Sequence, residues 1–330
     1  MLDLKNIYTA LFIATLTNSA CITQKATRNK QTSRVETANK LAKDGLLKEA
    51  LYAYKRVISK EPRNLTAHKN LGIVYVKTGD YGNAIKHLTK ALAKYANSFE
   101  INFYLGEAFR AKEKFGKAIF RYNRSLEYRP TSKKALKALA WSYYKVRFYS
   151  EAISTSWKLH KLSPNDTQVT IIQARTYLKV GRYRKALRVI SKGKAITKKN
   201  DLPYLISVEG DIFLKIGKIK KAEKLYREAL KDQPLLAGAL LGLAKTLLKN
   251  NQNSALAIKY LERSVRIKPR LKESLYLLGK LYEKTSPQKA SRYYKQFKKY
   301  AATDPEFQSQ LQEARKFSAS KSKKVREQQL

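Results

Sequence analysis

Apolar residues return along this chain in helical steps, in pairs of short segments broken by a polar turn. The stretch from Leu71 to Leu92 shows the pattern most plainly. Leu71, Gly72 and Tyr75 share one face of a first segment. Tyr81, Ala84, Ile85, Leu88 and Leu92 follow the i, i+3, i+4, i+7 spacing of a second. Lys77-Thr78-Gly79-Asp80 lies between them, and Gly79 suits a backbone that leaves a helix through positive φ. The spacing predicts a hairpin of two amphipathic helices. So small a pair cannot bury its apolar face alone, so it needs similar neighbours.

The chain supplies them about every 34 residues. Alignment on the alanine of the second helix gives eight units, marked by Ala50, Ala84, Ala118, Ala152, Ala186, Ala222, Ala257 and Ala290. Tyr54, Tyr122, Tyr226 and Tyr294 follow four of these alanines. Pro62, Pro130, Pro164, Pro234 and Pro269 stop second helices, because proline offers no N–H and clashes with the preceding turn. Ala96 and Lys198 stand in for that proline, and Glu113 and Arg147 stand where a turn glycine is expected. The fifth unit has two extra residues near its end, and the seventh has one in an Asn-rich turn.

This pattern resembles the tetratricopeptide repeat over residues 31–302. The resemblance implies an all-α fold, a right-handed superhelical solenoid of about eight helix-turn-helix units. It also implies that small residues on the paired helices, such as Gly72 with Ala84 and Gly210 with Ala222, let the backbones approach. Residues 303–318, with Phe307, Leu311, Ala314 and Phe317, read as a capping helix over the last apolar face. Residues 319–330 are basic and aperiodic and read as a mobile tail.

Residues 1–21 read as a signal peptide: a short polar start, an apolar run from Ile7 to Leu16, then small polar residues ending at Cys21. The run is too short to span a bilayer as a mature helix. Ser19-Ala20-Cys21 resembles the end of a bacterial lipoprotein signal, in which the cysteine carries the lipid; Asn18 departs from that pattern. The resemblance implies lipid attachment at Cys21. Ile22 in place of aspartate then favours the outer membrane, facing the periplasm. An ordinary cleaved export signal, an N-terminal anchor that is never cleaved and a cytosolic protein are the alternatives. Residues 22–34 read as a basic tether.

Charge widens the choice of partner. The 330 residues carry 69 Lys+Arg against 25 Asp+Glu, a formal net charge of +44. Such a potential attracts nucleic acid, anionic lipid or acidic protein surfaces and says nothing of fold. Cys21 is the only cysteine, which excludes an internal disulfide and a cysteine metal cluster. The chain contains no HExxH, Gly-rich phosphate loop or GxSxG. His68, His87 and His160 are read as packed or solvated histidines scattered over different units. No catalytic group, metal site or cofactor is expected.

The family resemblance implies an inner face, built from the first helix of each unit, that binds a partner segment. Carried onto this chain, it includes Lys69, Ile73, Val76, Phe103, Glu107, Arg110, Lys137, Trp141, Tyr144, Arg175, Leu178, Tyr204, Asp211, Lys245 and Tyr276. Aromatics beside Lys137 and Arg175 suit a protein segment with apolar and acidic side chains; some of the aromatics would instead pad the joints between units. Lysines in the last turn of the first helices, such as Lys77, Lys145 and Lys179, suit the helix dipole. A carboxylate clamp is not reproduced, because Ile73 stands one unit after Asn39.

The expectation is a non-catalytic interaction scaffold, resembling bacterial repeat lipoproteins of the pilus-assembly and secretin-pilot type. It would help assemble or dock an envelope machine for pili, secretion or motility, with an anionic membrane surface as a plausible second partner. A cytosolic helical-repeat protein binding RNA or DNA is the alternative.

Overall fold

A computed structural model describes residues 34–250 and 253–327, with side-chain environments to residue 320. The expected signal peptide, Cys21 and nearly all of the expected tether fall outside the described residues. Among the described residues there is no strand, and no helix is long and apolar enough to cross a membrane.

The chain divides into two compact units, residues 1–162 and 163–330. The N-terminal unit holds four helix pairs: α1 (34–43) with α2 (Leu47–Lys60), α3 (Leu65–Thr78) with α4 (Tyr81–Tyr95), α5 (Phe99–Ala111) with α6 (Phe115–Tyr128), and α7 (Lys133–Lys145) with α8 (Tyr149–Leu162). In the C-terminal unit, α9 (Thr167–Lys179) pairs with α10 (Tyr183–Ile196), and α11 (Leu202–Lys215) with α12 (Ile219–Asp232). There α13 (Ala237–Lys249) pairs with α14 (Ser254–Ile267), α15 (Lys272–Tyr282) with α16 (Pro287–Ala301), and α17 (Gln308–Glu327) follows. Each first helix packs on its own second helix, and each second helix on the next first helix of its unit.

Local chemistry sets the helix ends. Asn64, Ser98, Ser132 and Asp166 accept backbone N–H bonds at the starts of α3, α5, α7 and α9, filling donors that the helix cannot. Gly79 ends α3 at φ 84°, and the Asp80 side chain caps α4. Glu113 and Arg147 adopt φ 57° and 69°, so the turn keeps its left-handed residue even without glycine. Where Ala96 replaces the stop proline, the Asn102 amide donates to Ala96 O and Ser98 O. The two extra residues of the fifth repeat fall beside a 3-10 turn, Lys199–Asp201.

The aligned alanines of the second helices are all fully buried. The close backbone approach, however, differs from the expected pairing of glycine with alanine. A Cβ on Gly72 would lie 2.6 Å from Leu88, and one on Gly210 would lie 2.7 Å from the Tyr226 ring. Thus the glycine makes room for the large residue one turn beyond the alanine. Tyr226 is enclosed on a second side by Gly242 of the next repeat, where a Cβ would sit 2.3 Å from its ring.

At the C-terminal end, Leu311 and Ala314 are buried with Tyr276, Tyr294, Phe297 and Ala301. The last helix runs to Glu327, beyond the boundary expected at 318. Its sequence there, rich in Lys, Ser and Ala, contains no glycine or proline to stop it.

Candidate partner-binding groove

First helices lie side by side within each unit: α3 with α5, α5 with α7, α9 with α11 and α11 with α13. That arrangement brings the expected inner-face residues into register. The two units furnish them with different chemistry.

In the N-terminal unit the face is aromatic. Trp141 and Tyr144 on α7 stack with ring centroids 5.2 Å apart, and Tyr149 lies 6.3 Å from Tyr144. Phe103 on α5 stacks on Phe99 at 5.6 Å and meets Tyr104 edge-on. Trp141, Tyr144, Phe103 and Lys137 are all half-buried, with part of each surface open. Ile73 and Val76 pack against the core of Leu88, Ala91, Ile101 and Leu105, and Phe103 against that of Ala118, Tyr122 and Leu139, so all three also serve joints between repeats. Two cations here have carboxylate partners: Lys69 Nζ lies 3.6 Å from Glu100, and Arg110 Nη2 lies 2.6 Å from Glu107. The Glu107 bond holds the Arg110 guanidinium well above its ordinary pKa.

In the C-terminal unit the face is a charge ladder. Asp211 lies within the fields of Arg175 and Lys245, and Lys245 donates to Glu273 at 2.6 Å. Burial pushes the Asp211 carboxyl up, against the opposing pull of Arg175 and of its hydrogen bond from Tyr226. Leu178 is half-buried on α9, and Tyr204 accepts a bond from the Gln233 amide at 3.0 Å. Tyr276 corrects the expected groove. Its ring is buried against Phe297 and Tyr294, and its hydroxyl donates to Glu313 of α17 at 2.5 Å, so it belongs to the capped end.

A device that the sequence reading missed recurs through both units. A buried tyrosine of the second helix donates to a polar residue fifteen positions earlier on the first: Tyr54 to Asn39, Tyr122 to Glu107 and Tyr226 to Asp211. The constant spacing was its visible signal. It also engages Asn39, which accepts from Asn70 as well.

The histidine reading needs a further correction. His68 and His87 share one repeat, with Nδ1 atoms 2.7 Å apart and rings stacked at 4.9 Å. His68 Nε2 lies 3.0 Å from Pro62 O. A carbonyl only accepts, so His68 Nε2–H donates there and its Nδ1 accepts from His87 Nδ1–H. Burial, then His68 and the nearby lysines Lys86, Lys90 and Lys55, press the His87 pKa down to about 4. Among the described residues no group of three or more His, Cys, Asp or Glu could hold a metal ion.

The lysines at the ends of first helices stand in last turns, Lys77, Lys145, Lys179, Lys215 and Lys249 among them. That position satisfies the helix dipole. Lys179 also bonds Glu306.

Comparisons with known proteins agree with this architecture. A tetratricopeptide repeat family model matches residues 35–98, 69–135 and 208–271, together half of the chain. A model of "Anaphase-promoting complex, cyclosome, subunit 3" matches residues 111–193. The TPR repeat-containing protein YpiA of Bacillus subtilis (strain 168) is 24% identical over 194 residues, covering 58% of this chain and 44% of YpiA. The chain therefore spans less than half of that relative. A tetratricopeptide repeat protein from Parabacteroides merdae superposes with a TM-score of 0.64 at 18% identity, over 74% of this chain and 98% of its own. Yeast Tom70 does so with 0.60 at 16% identity, over 86% of this chain and 63% of its own. At such identities the likeness is one of fold. Proteins with this fold typically bind protein partners and are generally non-catalytic scaffolds. By its period, its paired helices and these matches, the chain belongs to the tetratricopeptide repeat family.

Proposed function

We propose that this chain is a non-catalytic scaffold, held in the bacterial envelope by a lipid on Cys21, that docks a component of a pilus, secretion or motility machine. The observation that carries the docking role is the half-open, stacked pair of Trp141 and Tyr144 on α7, with Lys137 one turn before Trp141 on the same helix. Rings that are rigid and partly exposed anchor a partner at small entropic cost, and a lysine at their edge favours an acidic side chain. The occupant this chemistry fits is a protein segment with apolar and acidic residues. The lone Cys21 after an apolar run supports the anchor.

The two parts have separate tests. Cys21→Ser in the full chain abolishes fatty-acid labelling and releases the protein from membranes. Unchanged fractionation together with no labelling of the parent chain would sink the anchor. A photo-crosslinker at Lys137 in living cells captures a defined partner, and Trp141→Ala with Tyr144→Ala removes the adduct. An identical adduct in that double variant would place the binding surface elsewhere.

A further inference from the structure

The positive charge is not spread evenly over the helices. In the C-terminal unit, α10 and α16 each carry five Lys or Arg and no acid. Lys185, Arg188 and Lys192 on α10 step by three and four residues and are all exposed, so they form one outward stripe. Lys220, Lys224 and Lys231 repeat the stripe on α12, where Arg227 is tied to Glu223, and Lys259, Arg263 and Arg266 form an exposed one on α14. Four acids of this unit are engaged elsewhere, Glu209 with Lys194, Asp211 with Tyr226, Glu273 with Lys245 and Asp304 with Lys272, while Glu228 and Asp232 stand exposed on α12 and make its stripe less basic than those of α10 and α16. Leu187 of α10 and Tyr260 of α14 pack against the core cluster shared by α11, α12 and α13, and Tyr293 of α16 packs against the next, shared by α13 to α16. The second helices thus carry their cations along successive repeats, on helices other than those of the inner face.

We infer that this outer surface of α10, α12, α14 and α16 docks on an anionic phospholipid bilayer. The inference rests on the envelope placement proposed above for its choice of a bilayer, and it names the face that meets the lipid. Two features favour lipid head groups over nucleic acid. Single-stranded nucleic acid needs exposed rings for base stacking, whereas every Tyr and Phe on these four helices is buried or half-buried. A duplex seats its two phosphate rows along one groove, while these cations spread over four helices. The exposed large apolar residues of this unit, Val180, Ile196 and Leu235, lie at helix ends and turns and leave the outward stripes purely polar. Contact is then electrostatic, without insertion, and salt disrupts it. A basic surface of this kind supplies the second signal that makes lipid anchoring durable.

The test uses the full chain carrying Cys21→Ser, so that no acyl chain contributes, with phosphatidylcholine vesicles alone or containing about 30 mol% phosphatidylglycerol. Co-sedimentation at ~150 mM salt requires the anionic lipid and disappears at several-fold higher salt. Each cation near a charged leaflet contributes about fivefold in partition, so Lys185→Gln/Arg188→Gln/Lys192→Gln lowers binding roughly a hundredfold. Lys77→Gln/Lys215→Gln/Lys249→Gln removes the same charge from the ends of first helices and leaves binding within about twofold. These are exposed helix positions, and unchanged melting curves confirm that both variants fold. Equal losses in the two variants, or binding indifferent to phosphatidylglycerol, overturn the inference. Duplex RNA or DNA bound through the α10 cations, with no vesicle binding, overturns it in favour of nucleic acid. The anchor is tested apart: Cys21-dependent fractionation in cells stands whether or not these vesicles bind.

Discussion

Two glycines one turn apart on α13 make opposite predictions for the same substitution. At Gly242 a new Cβ would lie 2.3 Å from two atoms of the Tyr226 ring, over an ångström inside ordinary contact. That ring cannot retreat freely, because the backbone at Gly210 faces it from another side and its hydroxyl is held by Asp211 at 2.9 Å. Overpacking costs about 1–3 kcal/mol, and this pinned site lies at the upper end. The better helix propensity of alanine returns about 1 kcal/mol, which leaves Gly242→Ala destabilised by roughly 2 kcal/mol. At Gly238 the nearest group is Ser207 Oγ at 3.9 Å, so Gly238→Ala keeps only the favourable term and gains roughly 0.5–1 kcal/mol. Repeat arrays need not melt in one step. The assay is therefore hydrogen exchange of the α11–α13 amides, beside a urea titration. Tyr226→Leu should rescue part of the Gly242→Ala loss, as a coupling in a double-mutant cycle. If Gly242→Ala protects these amides as well as Gly238→Ala does, the ring is not pinned and the reasoning fails.

The histidine pair predicts an acid sensitivity. The folded pKa of His87, about 4, lies below the ordinary 6.5, so its contribution is fully present above pH 6.5 and is lost as pH falls toward 4. The full shift is discounted because the ring is partly exposed, which leaves about 1 kcal/mol between pH 7 and 5. Melting temperatures of the parent and His87→Leu over that range measure it, and parallel pH profiles would refute it. At the left-handed turn residues Glu113 and Arg147, substitution by glycine should stabilise by about 0.5–1 kcal/mol in thermal melts, since a side chain is disfavoured at positive φ. A loss at both positions would show that their side chains matter more than the backbone.

The repeat register was legible because it rests on residues with narrow backbone or packing duties. Buried alanines, stop prolines and turn positions recur at one period, and even Glu113 and Arg147 kept the left-handed geometry that their register required. Contacts across the hairpin were less legible. His68 and His87 are nineteen residues apart, yet antiparallel packing around the Gly79 turn brings them together. The glycines were paired one turn short, because their neighbour is set by how the second helix crosses the first. In the groove, residue type and face were readable, but competition between neighbours was not. Lys245 finds Glu273 on the next first helix, and Tyr276 is claimed by the terminal helix.

The shared seat of Tyr226 has a consequence for synthesis. Its ring is lined on one side by a residue already made when it emerges, Gly210, and on another by Gly242, sixteen residues still to come. The sixth repeat therefore leaves the ribosome with its largest core residue incompletely covered, and it closes only when α13 docks. A released chain truncated inside α13 would expose that ring to proteases and chaperones. A chain truncated after α13 would not.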